Sequence, residues 1–326
     1  MMPVRRILLC AALLLAAGLA RAEEKPFGER MADVMQAGNG GPHAGFRLAH
    51  AKGALFEGEF TATPEARGLT RAAHMQGTTL PVVIRFSSAS GIPTLPDAAP
   101  QNAVRGIGMT FKLPDGSGTD LLGISVNAFP VSNGEDFLKL NQAAQASARG
   151  EPQPMRDFVA AHPAVARFGG IPKPMPQSFA TEAYFSINAF RFINAAGESH
   201  FIRYRIVPEA GTAFLTPEQA ASAPPDLLET EMRQRIGRGP AAFRLQAQLA
   251  EPGDPPGDAT AVWPEERRLV ELGRLVVMRA VANSDEVQRT MGFLPTNVTD
   301  GIEVSNDPLL QARSETYAVS FERRTQ

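Results

Sequence analysis

Short stretches in which apolar and polar side chains alternate recur along the chain and predict a largely β-sheet core. Residues 53–63 alternate phenylalanines with glutamates, and residues 82–86 are rich in β-branched side chains, as expected for strands. Further predicted strands cover residues 106–113, 120–129, 183–192, 200–207, 243–250 and 275–281. A set of roughly eight mostly antiparallel strands can close into a barrel that its own side chains fill.

Helical spacing of apolar residues and capping signals predict helices around this barrel. The predicted helices cover residues 136–148, 154–167 and 216–235, the last broken at Pro224-Pro225. Near the C-terminus, Asp307 is a good N-cap and Pro308 fits the first turn of a final helix. The expected fold class is therefore α+β, an antiparallel β-barrel of roughly eight strands with surrounding α-helices.

The first residues have the composition of a secretory signal peptide. Two arginines precede an apolar run over residues 7–19, and Ala20-Arg21-Ala22 supplies a typical cleavage motif. We therefore expect a signal peptide at residues 1–22, a single domain over residues 23–326, a periplasmic location and no stable membrane anchor after cleavage. The alternative is an uncleaved anchor, although the apolar run is short for a membrane span.

Charge and cysteine content narrow the chemistry. The formal net charge of −2 gives no reason to expect nucleic acid as a partner. The only cysteine, Cys10, lies within the predicted signal peptide, so we expect no disulfide, thiolate nucleophile or thiolate metal ligand in the mature chain. The Gly106-Ile107-Gly108 stretch lacks the third glycine and the following helix of a dinucleotide-binding loop.

A C-terminal helix would place Arg313 and Tyr317 four positions apart on one face, with Arg324 seven positions further along. A guanidinium beside a phenol oxygen stabilises the phenolate. Tyrosinate is one of the proximal ligands that haem iron takes in proteins. By itself, such a pair is more often a surface arginine beside a half-buried tyrosine, because this spacing is common on helices.

Among the five histidines, only His50 has surroundings that indicate chemistry. It lies between Arg47 and Lys52, just before a predicted strand, and Ser87 at the end of another strand is a candidate to fix its tautomer. No two histidines have the helical spacing of metal ligands. No role is assigned to the other four, His43, His74, His162 and His200.

Five separated stretches carry a family resemblance: RLAHAKGALFEGEF, VVIRFSSASG, VRGIGMTFKLPDGSGTDLLG, VWPEERRLVELGRLVV and GIEVSNDPLLQARSETY. In this order and spacing they resemble the haem catalases, and among these the short, secreted branch of catalase-related peroxidases. The resemblance covers residues 44–324. It implies a catalase-like antiparallel barrel and a haem cofactor, and because the only cysteine is in the predicted signal peptide we expect haem b.

The resemblance also implies roles for single residues. His50 matches the distal catalytic histidine and Ser87 the serine that hydrogen-bonds it. Tyr317 matches the axial ligand of the haem iron, and Arg313 the arginine that stabilises the tyrosinate. The other matching residues contact haem, as three propionate-binding arginines and two residues on its distal face, namely Arg47, Arg85, Arg324, Phe137 and Ala49.

The chain departs from the family pattern in three ways. Counting from Gly123 puts Ile124 at the position of the distal asparagine, whereas counting from Pro130 puts Asn127 there. The two positions differ by three residues, and an odd shift along a strand turns the side chain to the other face of the sheet. Ser314-Glu315-Thr316 replaces residues that are usually apolar or include aspartate. The resemblance does not extend to the domain that narrows the haem channel in longer catalases, which implies a wider entrance.

The implied function is a haem peroxidase that reduces hydrogen peroxide or organic hydroperoxides with small organic electron donors, through a ferryl intermediate. Two other activities are compatible with the same scaffold, weak catalase activity and hydroperoxide isomerisation. From another class, the chain could be a non-catalytic haem-binding protein of the periplasm. Beyond the peroxide and the reductant, a second copy of the chain in a homo-oligomer is a possible partner.

Overall fold

The computed structural model describes residues 24–326, so the predicted signal peptide lies outside the described residues. Within this range the strands are β1 (Gly53–Ala62), β2 (Leu80–Ser88), β3 (Arg105–Lys112), β4 (Gly118–Ile124), β5 (Tyr184–Phe185), β6 (Phe190–Ile193), β7 (Ser199–Pro208), β8 (Ala241–Leu249), β9 (Leu269–Ala280) and β10 (Ile302–Val304).

Eight of these strands close into an antiparallel barrel, which confirms the predicted architecture. The order around the barrel is β7, β5, β4, β3, β2, β1, β9 and β8, and pairing of β8 with β7 completes the circle. The strands β6 and β10 extend the sheet outward from β7. Closure leaves each barrel strand with a partner on both sides, so no long edge is exposed.

The helices lie around this barrel. Their bounds are α1 (Phe27–Gly38), α2 (Pro64–Leu69), α3 (Gly134–Ala148), α4 (Gln153–Ala161), α5 (Pro163–Gly170), α6 (Pro217–Ala221), α7 (Leu227–Arg238), α8 (Ser284–Val287) and α9 (Pro308–Thr325). The side chain of Asp307 accepts a hydrogen bond from the backbone N–H of Leu309, so α9 begins as its sequence predicts. Among residues 24–326, no helix has the length and apolar character needed to cross a bilayer.

Two predicted elements are split by local chemistry. The helix predicted over residues 154–167 breaks at His162, because Pro163 has no backbone N–H and disfavours the helical conformation of the residue before it. The strand predicted over residues 183–192 breaks after Phe185. There the hydroxyl of Ser186 accepts a hydrogen bond from the backbone N–H of Tyr204 at 2.7 Å and interrupts the ladder.

The strand predicted over residues 120–129 is also shorter than expected. It ends at Ile124, and the hydroxyl of Ser125 accepts a hydrogen bond from the backbone N–H of Arg105 at 2.9 Å. The chain therefore leaves the sheet before it reaches Asn127. This early end decides which side chain of the segment faces the site described below.

The barrel interior is filled by aromatic side chains, and the functional cavity lies outside its wall. Along β2, Ile84 and Phe86 are buried in the interior, where the ring centroids of Phe56 and Phe86 are 5.7 Å apart. The alternate residues Arg85 and Ser87 face outward into the cavity. Because successive side chains of β2 point to opposite faces of the sheet, this one strand contributes residues to both the core and the cavity.

Candidate active site

A cavity of about 740 Å³ lies between the barrel wall and α9. Strands β2, β3 and β4 and the segment before β1 form the barrel side, and α9 forms the other side, with α1 and α3 at the margin. Every site residue predicted from the sequence lines it: Arg47, Ala49, His50, Arg85, Ser87, Phe137, Arg313, Tyr317 and Arg324. The fold thus gathers residues that lie as far apart in the chain as Arg47 and Arg324.

His50 is held in a fixed orientation. Its backbone has φ 55°, a left-handed conformation that is uncommon for a residue other than glycine and costs energy. Its backbone N–H donates to the carbonyl of Ala89 at 2.9 Å, and its carbonyl accepts from Nη2 of Arg85 at 2.8 Å. These contacts keep the strained residue in place and aim its imidazole into the cavity.

The imidazole Nδ1 of His50 is 3.0 Å from Oγ of Ser87. The same hydroxyl donates a long hydrogen bond of 3.5 Å to the carbonyl of Gly106, which leaves it free to accept from Nδ1–H. Nε2 is then the basic nitrogen. Burial, with smaller contributions from the guanidiniums of Arg85, Arg313 and Arg47, lowers the pKa of His50 from 6.5 to about 3, so the imidazole is neutral near pH 7.

Gly106 makes room for this imidazole. A Cβ atom at position 106 would lie 2.7 Å from Cε1 of His50 and 3.0 Å from Oγ of Ser87. The first distance is shorter than real Cβ contacts and the second is tighter than most, so a side chain here would displace the histidine or the serine. Gly106 therefore has a packing role within β3, beside His50 and Ser87.

On α9, Nη2 of Arg313 donates to the phenol oxygen of Tyr317 at 3.0 Å. Two residues that the sequence reasoning missed hold this arginine. Its Nη1 donates to Oδ1 of Asn188 at 2.6 Å, and Nδ2 of Asn188 donates to Oδ2 of Asp307 at 2.7 Å. Asp307 was predicted only as a helix cap, and no pattern in the sequence pointed to Asn188, which lies in the unpaired stretch between β5 and β6.

Three guanidiniums, those of Arg47, Arg85 and Arg324, line the cavity together. In the part of the chain that the structure describes, none of them forms an ion pair with a carboxylate. Arg47 and Arg324 donate to the carbonyl of Met291, and Nε of Arg85 donates to Oε1 of Gln288 at 2.7 Å. Gln288 is a further supporting residue that sequence reasoning missed.

The electrostatics of this cluster are unfavourable without an anion. Burial first, and then the charges of Arg85 and Arg324, lower the pKa of Arg47 to about 8. Burial, with the charge of Arg324, lowers the pKa of Arg85 to about 9. Like charges that are partly removed from water repel strongly, so the cluster is suited to a ligand that carries carboxylates.

The remaining walls are apolar. The rings of Phe129 and Phe137 pack with their centroids 5.3 Å apart, and Phe293 lies where a Cβ atom at Gly108 would meet it at 3.0 Å. The helix α1, which sequence reasoning did not predict, adds further apolar side chains to the lining, namely Phe27, Met31 and Met35. A flat apolar group with an anionic edge matches these surfaces.

The structure separates the two alternatives for the distal amide. Ile124 lines the cavity, whereas Asn127 does not. In the described range, Nδ2 of Asn127 is buried without a hydrogen-bond partner. The four histidines without an assigned role, His43, His74, His162 and His200, do not line this cavity either. Residues 24–326 contain no cluster of three or more histidine, cysteine, aspartate or glutamate residues that could hold a metal ion.

Comparisons with known proteins show which family this chain is similar to. The family described as Catalase matches residues 45–325. A catalase-related peroxidase of Mycolicibacterium paratuberculosis is 36% identical over 293 residues, covering 88% of this chain and 92% of the relative. A catalase-related peroxidase of Synechococcus elongatus is 33% identical over 294 residues, with 88% and 86% coverage.

Solved structures show the same fold. A bacterial catalase superimposes with a TM-score of 0.75 at 23% identity, and a fungal catalase with a TM-score of 0.74 at 20% identity. The match covers 86% of this chain in both cases, but only 58% and 59% of the two catalases. The match to the catalase family spans most of the sequence, and the relatives and the solved structures belong with the same family and fold. The chain belongs to the catalase family.

Proposed function

We propose that the chain is a haem-dependent peroxidase that reduces hydrogen peroxide or organic hydroperoxides with small organic electron donors. Membership of the catalase family makes it an oxidoreductase that acts on peroxide. One observation carries the proposal: a single cavity holds His50 with Ser87 on its barrel side and Tyr317 with Arg313 on its helical side. An acid-base group and an anionic metal ligand that face one space are the parts such chemistry needs.

The residues present fit haem. The volume of about 740 Å³ is in the range of cofactor sites. The phenol of Tyr317 would supply an oxygen ligand for the iron, and the charge of Arg313 would stabilise the tyrosinate. Arg47, Arg85 and Arg324 would pair with the propionates and relieve their mutual repulsion. We propose haem b, because the only cysteine is Cys10.

When bound, haem supplies an iron centre that accepts two oxidising equivalents from peroxide. The neutral His50 accepts the peroxide proton at Nε2 and returns it to the outer oxygen as the O–O bond breaks, so water or an alcohol leaves. Ser87 holds Nδ1–H and thereby keeps Nε2 available. Two donor molecules then supply one electron and one proton each, which balances the reduction. The apolar walls of Phe129 and Phe137 limit water at this face.

Spectroscopy of the haem-reconstituted protein tests cofactor and ligand together. We expect a Soret band of a high-spin ferric, tyrosinate-ligated haem that is lost in Tyr317→Phe. Steady-state oxidation of a phenolic donor should fall by about 100-fold or more in His50→Ala, because general acid-base catalysis by one group contributes at least this much. Failure of the wild-type chain to bind haem contradicts the proposal, and full activity of His50→Ala would indicate a different role for the cavity.

Product analysis separates the related activities. A peroxidase consumes donor in proportion to peroxide, a catalase releases oxygen, and a hydroperoxide isomerase converts a fatty-acid hydroperoxide without consuming donor. We expect donor oxidation to dominate.

We also propose that residues 1–22 are removed and that the domain of residues 23–326 acts in the periplasm. Cell fractionation and N-terminal sequencing of the mature chain test this.

A further inference from the structure

We propose that Ile124 makes the cavity selective for hydroperoxides that carry an apolar group, over hydrogen peroxide. The proposal rests on the peroxidase function above and names the substrate class of the same site. Across three neighbouring strands, Ser87 pairs with Gly106 and Gly106 pairs with Ile124.

Residues that pair in register across antiparallel strands point to the same face of the sheet. Ser87 points towards His50, with Oγ 3.0 Å from Nδ1, and a Cβ atom at Gly106 would also point at the imidazole. Ile124 is the next side chain in this row and lines the same cavity. It therefore lies roughly 10 Å from Ser87, two strand spacings away, with only a glycine between them.

The imidazole of His50 lies over Gly106, and the part of the cavity between His50 and Ile124 is the space in which a substrate would lie. Beyond it, the surroundings of Ile124 are apolar, because it packs against a buried cluster around Ile187 and Leu309 together with Phe129. The side of this space that faces His50 offers hydrogen bonds, whereas the side formed by Ile124 offers none from its side chain. The space is thus polar at one end and apolar at the other.

Other polar groups nearby are already engaged. Asp120 lies on the same face of β4, four residues before Ile124, but its carboxylate accepts hydrogen bonds from Oγ1 of Thr110 at 2.6 Å and from the backbone N–H of Leu294 at 2.9 Å. Asn127 lies beyond the end of the strand and does not line the cavity. Neither residue supplies a free amide or acid opposite His50.

This distribution of polar groups distinguishes two kinds of peroxide. Hydrogen peroxide has an O–H group at each end, and beside Ile124 one of them would lose its hydrogen bonds to water without replacement. An alkyl hydroperoxide has a single O–H group, which His50 can accept, and its hydrocarbon group can pack on Ile124 and Phe129. The second step of dismutation needs another hydrogen peroxide at the same place and is disfavoured for the same reason.

The experiment compares haem-loaded wild type with Ile124→Asn. With one phenolic donor, kcat/KM is measured for cumene hydroperoxide and for hydrogen peroxide, and oxygen release is followed in parallel. We expect wild type to prefer cumene hydroperoxide. We expect Ile124→Asn to shift the ratio towards hydrogen peroxide by about tenfold or more and to raise oxygen release.

Two control variants sharpen the comparison. Leu122→Asn places the same amide on the same face of β4, two residues before Ile124. It lies opposite Gly108 and not opposite Gly106, over which the imidazole of His50 lies, so it should leave the ratio unchanged. Asn127→Ala tests the alternative position of the distal amide and should also leave it unchanged. A ratio that moves with Asn127→Ala but not with Ile124→Asn would overturn the proposal.

A binding measurement adds a readout that does not depend on turnover. The unreactive alcohol 2-phenylpropan-2-ol, the product of cumene hydroperoxide, is titrated by calorimetry. We expect its affinity to fall by about tenfold in Ile124→Asn and in Ile124→Ala, because both remove the apolar contact. Ile124→Ala adds no amide, so it should weaken alcohol binding without raising oxygen release, and it serves if Ile124→Asn does not fold.

The outcomes separate the two proposals. Wild-type protein that oxidises the donor with neither peroxide would overturn the peroxidase function itself. If the wild-type protein is active but both Ile124 variants keep its substrate preference and its affinity for the alcohol, only the role of Ile124 is overturned. An amide at position 124 that raises oxygen release while Leu122→Asn does not would support it.

Discussion

Nη1 of Arg313 lies 2.6 Å from Oδ1 of Asn188, although the two residues are 125 positions apart in the chain. The contact fixes the guanidinium whose other nitrogen donates to Tyr317 at 3.0 Å. Asn188 is itself held by Asp307, which also caps α9. A row of four polar side chains therefore links the start of the helix to the phenol oxygen, and burial raises the pKa of Asp307 at its far end.

Asn188→Leu should loosen Arg313 and weaken the support of the tyrosinate. Changes to groups that orient a metal ligand typically cost about 10- to 100-fold in metal affinity or activity, and we expect a loss of peroxidase activity in this range. A shift of the haem absorption bands should accompany it. Asn194→Leu, in the exposed hairpin between β6 and β7, is the matched control and should retain both. Unchanged spectra in Asn188→Leu would show that Arg313 needs no such support.

Removing Arg324 should weaken haem binding. Deletion of residues 324–326 takes away one of the three cavity guanidiniums that would pair with the haem propionates, whereas deletion of residues 325–326 leaves it in place and is the control. A hydrogen-bonded charge pair contributes about 1.5–3 kcal/mol, so we expect about a tenfold to hundredfold loss of affinity, measured by haem titration. Equal affinity of the two truncated chains would contradict a role for Arg324.

Gly106→Ala should abolish most peroxidase activity while haem still binds. The added Cβ would stand 2.7 Å from Cε1 of His50, so the imidazole must move away from the peroxide. The side of the cavity formed by α9 is untouched, and the Soret band should persist. The control is Gly118→Ala at the start of β4, where the new Cβ would contact only a methyl group of Thr110 at 3.0 Å and the backbone at 3.5 Å. Equal activity of the two variants would count against the packing role.

The low pKa of His50 predicts an acid-sensitive haem-free protein. The imidazole takes a proton near pH 6.5 in the unfolded chain but only near pH 3 in the folded cavity. Between these values the unfolded state binds more protons, so the free energy of unfolding falls as the pH falls, by at most about 1.4 kcal/mol per pH unit. The real slope should be smaller, because the cavity admits water.

Urea unfolding at neutral pH and at about pH 4.5 measures this effect, since the interval lies within the predicted window. We expect His50→Gln to lose less stability over the interval than wild type does, because glutamine does not titrate. Ser87→Ala keeps the histidine and should retain the wild-type slope. A wild-type protein and a His50→Gln variant with the same loss would show that His50 takes its proton equally well in both states.

Much of the fold followed from the sequence because it depends on neighbours along the chain. The period of two along β1 and β2 predicted strands, and Asp307 with Pro308 predicted the start of α9. The Arg313 and Tyr317 pair was visible because a helix turns every 3.6 residues. The errors were also local: Pro163 splits a predicted helix, and Ser125 ends β4 early.

Tertiary structure decided what the local pattern left open. Asn188 and Gln288 carry no sequence signal, because their role depends on chain segments that pack against them from far away. The choice between Ile124 and Asn127 needed the pairing of β4 with β3, since register is set by the barrel as a whole and not by counting residues. The sequence by itself determined the residue types and the family pattern, and the closed barrel determined which of them meet.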